Sequence, residues 1–307
     1  MEGNDRLAVE ALAGRVVAVL NTGSGSCDAH SEGEALAIFA EADLGHAQVF
    51  CVPPPEIEAA LANAVADADV LVVLGGDGTI RSAAEKCRGL ATFLVPLPGG
   101  TMNMLPKALY GALAWREALK AVLAAPGVHH VSGGSAGRHS FFVAAILGAP
   151  TLWADAREAV REGHIVEAAK RSVTAARRSL SEPLEYEFGD SLAGSAEVVA
   201  VVCPLISRAM GEEERAFEAA AFDPTTAAEA FRLGFHALFD DWRDDPSVSR
   251  VKTRRVRVTG HGRVPTILDG EKVRLGRTVD LVFNPLAFRA LTPLQLAGPA
   301  ALQAAAG

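Results

Sequence analysis

The stretch Asp69-Val-Leu-Val-Val-Leu-Gly75-Gly-Asp-Gly-Thr79 decides the architecture of the N-terminal half. Residues 70–74 are uninterrupted apolar, which suits a strand buried on both faces of a parallel sheet. The glycines that follow place a turn at its carboxyl end, and a helix is expected from Thr79. In an open α/β sheet that edge is where ligands bind. Glycine lets the backbone come close to a phosphate, and a helix N-terminus offers N–H groups and a favourable dipole. Asp77 is the odd residue, because a carboxylate beside phosphates is repelled unless it binds Mg²⁺ or takes a proton. The plainer alternative is a strand-to-helix turn with an aspartate cap.

Outward from this point the chain alternates. Residues 15–20, 47–52 and 92–95 are further short apolar runs. Helical stretches lie between them, one opening at Ser31 with Glu34 completing a capping box, another following Pro53-Pro54-Pro55. Such repetition predicts a doubly wound parallel α/β domain over residues 1–126. After Pro126-Gly127 the rhythm changes. Strands are expected at 128–132, 139–147, 184–188, 197–203, 216–222, 251–258, 266–268 and 279–283, with turn residues between them. Helices are expected at about 151–180 and 225–242. Residues 127–292 therefore read as an antiparallel, sandwich-like β domain, with the tail 293–307 packing back on the first.

With 307 residues, half of them hydrophobic, the chain suits two domains with substantial cores. A net charge of −8 argues against nucleic acid as a partner. One basic cluster, Arg250, Lys252, Arg254, Arg255, Arg257 and Arg263, contains no acid; a solvated edge strand is favoured over a surface facing anionic lipid or nucleotide. Met1 to Gly14 lacks the layout of a signal peptide and no apolar run approaches bilayer length, so a cytoplasmic location is expected. Cys27, Cys51, Cys87 and Cys203 are dispersed and read as small core residues of a reducing compartment. His129 and His130 would point to opposite faces of a strand, a poor metal pair.

Two patterns point elsewhere and fall short. Gly133-Gly-Ser135-Ala-Gly137 matches GxSxG, but a nucleophile elbow needs a helix behind it, and here a strand follows. Asn21–Asp28 supplies Gly23 and Gly25 of a dinucleotide fingerprint without the third glycine.

Three segments carry the functional reading. Gly75–Thr79 is the first. Val95-Pro-Leu-Pro-Gly99-Gly100-Thr101-Met-Asn103 follows the next strand, on the same sheet edge, and offers close backbone approach with neutral hydrogen bonds from Thr101 and Asn103. Leu268-Asp269-Gly270-Glu271 alone would be an ordinary hairpin turn. The first segment resembles the signature of diacylglycerol-type lipid kinases, sphingosine kinases and NAD kinases. The second is similar to the P-x-GT-x-N segment of the lipid kinases, and the third resembles their DGE. Asn21-Thr-Gly-Ser-Gly-Ser26 looks like the family's NP-x-SG loop, with Thr22 in place of proline. The resemblance runs from about Val16 to Pro293.

It implies an ATP-dependent transfer of the γ-phosphoryl group to a lipid hydroxyl, with Mg²⁺ accompanying ATP. Asn21, Gly75, Gly76, Asp77, Gly78, Thr79, Arg81, Gly100, Thr101 and Asn103 would handle the nucleotide. Glu271 would be the general base, with Asp77 assisting. Contact with a membrane surface is expected for such a substrate, and a helix bearing Arg157, Arg161, Lys170, Arg171, Arg177 and Arg178 is a candidate face. The alternatives are a non-catalytic nucleotide-binding protein on this fold and an NAD-kinase-like activity. Besides Thr22, the chain departs from the family at three places. Arg81 and Ser82 replace an Asn-Glu pair, and Val52 stands where a threonine is usual. Gly211-Glu-Glu-Glu-Arg215 lacks the Asp-Gly turn that holds a structural Mg²⁺, so no protein metal site is expected.

Overall fold

The computed structural model describes residues 2–148, 183–207, 209–210, 214–222 and 248–294. The chain forms two compact units, Met1–Gly133 with Asn284–Gly307, and Gly134–Phe283. The expected helices at 151–180 and 225–242, the basic face from Arg157 to Arg178, residues 211–213 and the tail 295–307 lie outside the described residues.

The first unit begins with α1 (Glu2–Leu12). It continues through β1 (Val16–Asn21), α2 (Ser31–Glu41), β2 (Gln48–Val52), a 3₁₀ turn (Pro54–Glu56), α3 (Ile57–Asp67) and β3 (Val70–Gly75). Then come α4 (Asp77–Cys87), β4 (Phe93–Pro98), α5 (Met104–Tyr110) and α6 (Trp115–Ala124). Strands β2-β1-β3-β4 pair in parallel, with Val73 opposite both Val19 and Pro96. β1, β3 and β4 are buried at every position, as their continuous apolar runs require. Each buried Val or Leu contributes about 1.5–3 kcal/mol of transfer free energy. A fifth parallel partner comes from the far end of the chain: in β16 (Thr278–Pro293), Arg289 and Ala290 pair with Phe93 and Leu94. Leu294 N–H then donates to Ala125 O at 3.0 Å.

Two local expectations are corrected here. Ser31 is no N-cap. Its hydroxyl bonds to Asp28 Oδ1 and accepts Asp28 N–H, while Glu34 turns away to Arg116, so no capping box forms. And α4 begins at Asp77, with Gly76 as N-cap, two residues earlier than expected.

The second unit is a sandwich. It starts in β5 (Pro126–Ala136), which the chain enters from the first unit, and adds β6 (His139–Phe141), β7 (Ala144–Gly148), β8 (Leu184–Phe188), β9 (Leu192–Ala196) and β10 (Val198–Val202). β11 (Phe217–Phe222), β12 (Ser249–Thr253), β13 (Arg255–Thr259), β14 (Pro265–Leu268) and β15 (Glu271–Arg274) complete it with the start of β16. One sheet orders β16-β13-β8-β9 and the other β12-β11-β10-β7-β14-β15, with antiparallel pairing. β8 and β13 alternate buried and exposed, the period-2 pattern of a half-covered sheet. Both sheets feed one apolar core, where the Phe217 ring stacks on Phe141 at 5.5 Å and meets Phe283 edge-on at 5.1 Å.

The run 251–258 is two strands rather than one. Arg254 interrupts it, and the chain passes from the edge of one sheet into the interior of the other, with Thr253 Oγ1 bonding Arg255 O at 2.9 Å. The basic cluster is divided accordingly. Lys252 on edge strand β12 pairs with Glu214 at 2.7 Å, and Arg257 on β13 with Asp280 at 2.7 Å. Ser135 lies in the β5–β6 hairpin opposite Ser140, ahead of a turn at Gly137 with φ +60°. Cys87 and Cys203 are core residues, whereas Cys27 is half-buried and Cys51 is exposed on the edge strand β2.

Candidate functional site

Asn21, Gly75–Thr79, Gly100, Thr101 and Asn103 come together at the carboxyl ends of β1, β3 and β4. Asn21, 9% exposed, donates from Nδ2 to Thr79 Oγ1 at 2.9 Å and accepts Gly23 N–H on Oδ1 at 2.9 Å. One amide thus fixes both the first loop and the first turn of α4.

The second loop is tied as closely. Gly99 N–H donates to Gly75 O, and Ser26 N–H to Gly99 O. Asn103 clamps Gly100 from both sides: Oδ1 accepts its N–H and Nδ2 donates to its O, each at 2.7 Å. Asn103 sits at φ +51°, a left-handed conformation that asparagine tolerates better than most residues, and it is the N-cap of α5. The glycines answer the contact between these loops. A Cβ on Gly100 would lie 2.8 Å from Gly76 Cα, and one on Gly99 would lie 2.9 Å from Gly75 N. Only glycine lets the two backbones touch.

Asp77 has a partner that sequence reasoning missed. Its Oδ2 accepts Asn103 N–H at 2.9 Å and its Oδ1 accepts Met104 N–H at 2.6 Å. The carboxylate of one helix therefore caps the first turn of another, which resolves why an acid stands among glycines. Burial pushes its carboxyl pKa up from the ordinary value, opposed by those two N–H bonds and by the nearby Lys107. The signal lay further along: Asn103 followed by Met-Leu-Pro106 is a helix start, with proline in the first turn.

Arg81 lies on α4 one turn beyond Asp77. On the neighbouring α3, Glu58 accepts Lys86 Nζ at 2.8 Å and also bonds Ser82. These bonds, with the charge of Arg81, hold the Glu58 carboxyl below its ordinary range. A carboxylate thus stands beside Ser82, supplied by a different helix. Thr101 is exposed at the tip of the second loop.

Glu271 belongs to the second unit. It opens β15 and pairs with Leu268 across a turn in which Asp269 and Gly270 have φ +47° and +85°. Asp269, 4% exposed, accepts three backbone N–H groups, from Phe142, Val143 and Ala144, at 2.7, 2.8 and 2.9 Å. It anchors the turn, and Glu271 stands exposed beyond it. Among the described residues no three His, Cys, Asp or Glu side chains converge as a metal cage. No described helix is long and apolar enough to cross a membrane.

A parallel α/β unit carrying a glycine-lined edge, joined to an antiparallel sandwich, is the fold of solved diacylglycerol kinase structures. Two from Bacillus anthracis str. Sterne match this chain. One, a diacylglycerol kinase, has a TM-score of 0.67 at 15% identity, covering 92% of this chain and 97% of the other. The second, provisionally named a diacylglycerol kinase, has a TM-score of 0.70 at 17% identity, covering 92% and 98%. At such identities the likeness is one of fold. The family model of the diacylglycerol kinase catalytic domain matches residues 15–136, the part that holds both glycine loops, in agreement with the resemblance carried by the motifs. No curated protein matches the chain significantly.

Proposed function

We propose that the protein is an ATP-dependent lipid kinase. The observation that carries this reading is the pair of interlocked loops, Gly75–Thr79 and Gly99–Asn103, at the carboxyl edge of the first unit. They meet at the start of α4, whose N-cap is Gly76 and which no side chain caps, so its first N–H groups suit the approach of phosphates.

ATP is the donor substrate. The acceptor hydroxyl oxygen forms a bond to the γ-phosphorus as the bond from that phosphorus to the β–γ bridging oxygen breaks, releasing ADP. Glu271 takes the hydroxyl proton. Catalysis of this kind is mostly positioning and charge stabilisation. Asn21, Gly100, Thr101 and Asn103 hold the nucleotide, Arg81 contributes charge to its phosphates, and Asp77 keeps the two loops in register. Mg²⁺ would neutralise phosphate charge and reach the site on the nucleotide, since cations of this kind are commonly bound through substrate phosphates. The acceptor presented at a bilayer or micelle surface calls for peripheral membrane contact.

The test is phosphorylation of a panel of micelle-dispersed lipids with radiolabelled ATP and Mg²⁺, with NAD as a soluble control. A labelled lipid is expected. Glu271→Gln should lower turnover by about 10²–10⁴-fold while ATP affinity is kept. Label in NAD alone would transfer the protein to the NAD-kinase reading. Full turnover in Glu271→Gln would remove that residue from the mechanism.

A further inference from the structure

Glu271 is the proposed base, yet among the described residues its side chain has no hydrogen bond or ion pair to hold it. Its strand is short support: β15 has four residues and ends its sheet, beside β14. Whatever fixes Glu271 therefore reaches it through the backbone of the preceding turn. That turn does not itself require an acid. Asp269 and Gly270, at φ +47° and +85°, fill the two central positions of a type I′ turn, and asparagine or glycine suits the first of them as well. A carboxylate only 4% exposed is costly there unless its oxygens are bonded. They are: the successive amides of Phe142, Val143 and Ala144 converge on them. Successive N–H groups of a regular strand point to opposite sides, so this convergence needs the bend at 142–143, which belongs to neither β6 nor β7. The bend is fastened further, with Cys203 N–H donating to Val143 O and Asp269 N–H to Ala144 O, both at 2.9 Å.

We infer that Asp269 is a positioning residue for the proton transfer: its carboxylate, clamped on the 142–144 amides, fixes the place from which Glu271 reaches the acceptor hydroxyl. The inference rests on the lipid-kinase reading and on Glu271 as its base. The clamp acts at short range, since two residues span at most about 7 Å of chain. A base must come within about 2.6–3.2 Å of the oxygen whose proton it takes. Misplacement by about 1 Å can cost about 10²-fold in rate, so a turn that drifts is a turn that fails. Two substitutions separate this role from that of a plain turn former. Asp269→Gly and Asp269→Asn both suit a left-handed turn position, and both break the clamp. Glycine removes it, and asparagine keeps one acceptor oxygen while setting an NH₂ group against N–H donors.

The test is steady-state turnover of the full chain with ATP, Mg²⁺ and micelle-dispersed diacylglycerol, phosphatidylglycerol and a sphingoid base. Both variants should lower kcat about 10–10²-fold, with the KM for ATP unchanged. In a Glu271→Gln background the same substitutions should lower kcat no further, because Asp269 acts through Glu271. Equal losses in the two backgrounds would make Asp269 a general structural residue, and wild-type kcat in both variants would show that the turn places Glu271 without the clamp. Either result overturns the inference. Hydrogen exchange read by NMR tests the clamp apart from activity. The Phe142, Val143 and Ala144 amides should exchange slowly in the wild type and fast in both variants, while β10 and β11 stay protected. Fast exchange of those three amides in the folded wild type overturns the clamp even if neither variant folds. A wild type that phosphorylates none of these lipids, with the three amides protected, sinks the kinase reading and leaves Asp269 a turn anchor with no part in catalysis.

Discussion

Asp77 lies at the start of α4, yet its two oxygens serve the start of α5. A carboxylate accepting two N–H groups is stabilised in the charged form, but burial outweighs this and raises its pKa. The folded chain therefore holds that proton more tightly than the unfolded chain, whose value is near 3.8. The contribution of Asp77 to stability is then greatest in acid and declines as pH rises through its raised pKa. Asp77→Ala should cost about 1–2 kcal/mol in denaturant unfolding at neutral pH, as for loss of a helix cap, and Asp77→Asn less, because one oxygen can still accept. The gap between wild type and Asp77→Asn should widen at lower pH; a gap that narrows would contradict the assigned shift. Nothing in the string Gly-Gly-Asp-Gly-Thr shows this role, because the partner N–H groups stand twenty-six and twenty-seven positions away.

At the scale of elements, the paired loops are the unit on which the proposed function rests. Gly100→Ala would drive a methyl group into the backbone of Gly76, where no flexible side chain can yield. It should cost about 1–3 kcal/mol in melting measurements and weaken ATP binding. Gly33→Ala is the control: it lies inside α2 with nothing within 4 Å of the added carbon, and should stabilise by about 0.5–1 kcal/mol. Strands at this scale were readable. The fully buried β1, β3 and β4 announce themselves as apolar runs, and β8 matches its expected bounds of 184–188 because its alternation is strict. What escaped reading depended on contacts distant in the chain. Ser31 lost its expected role as a cap to Asp28, and the break at Arg254 follows from two sheets competing for one run of residues. Helices α5 and α6 were not foreseen, although Trp115, Ala118, Leu119 and Val122 recur at helical spacing and are all buried.

For the whole molecule, the first unit is assembled from both ends of the chain. Phe288 and Leu291 are 2% and 0% exposed, Arg289 lies over the Phe93 ring at 6.0 Å, and the Tyr110 hydroxyl donates to Leu291 O at 3.3 Å. Removing residues 284–307 should therefore damage the sheet edge proposed to bind nucleotide, which is built from the N-terminal half of the sequence. Each of those two side chains accounts for about 1.5–3 kcal/mol. A truncated protein that still melts cooperatively and binds ATP like the intact chain would show that the fifth strand is dispensable. A division into two kinds of domain is visible in the change of rhythm after Pro126. The return of β16 to β4 is not, because 278–293 reads as one β-rich run whose partner changes along its length.

That return also orders events on the ribosome. β4 is synthesised well before its outer neighbour, and the stretch between Pro98 and Arg289 takes roughly 10–40 s at about 5–20 residues per second. During that interval the nascent sheet shows an open, apolar edge at Phe93 and Leu94, so the growing chain is exposed to aggregation and to chaperone capture until β16 emerges to cover it.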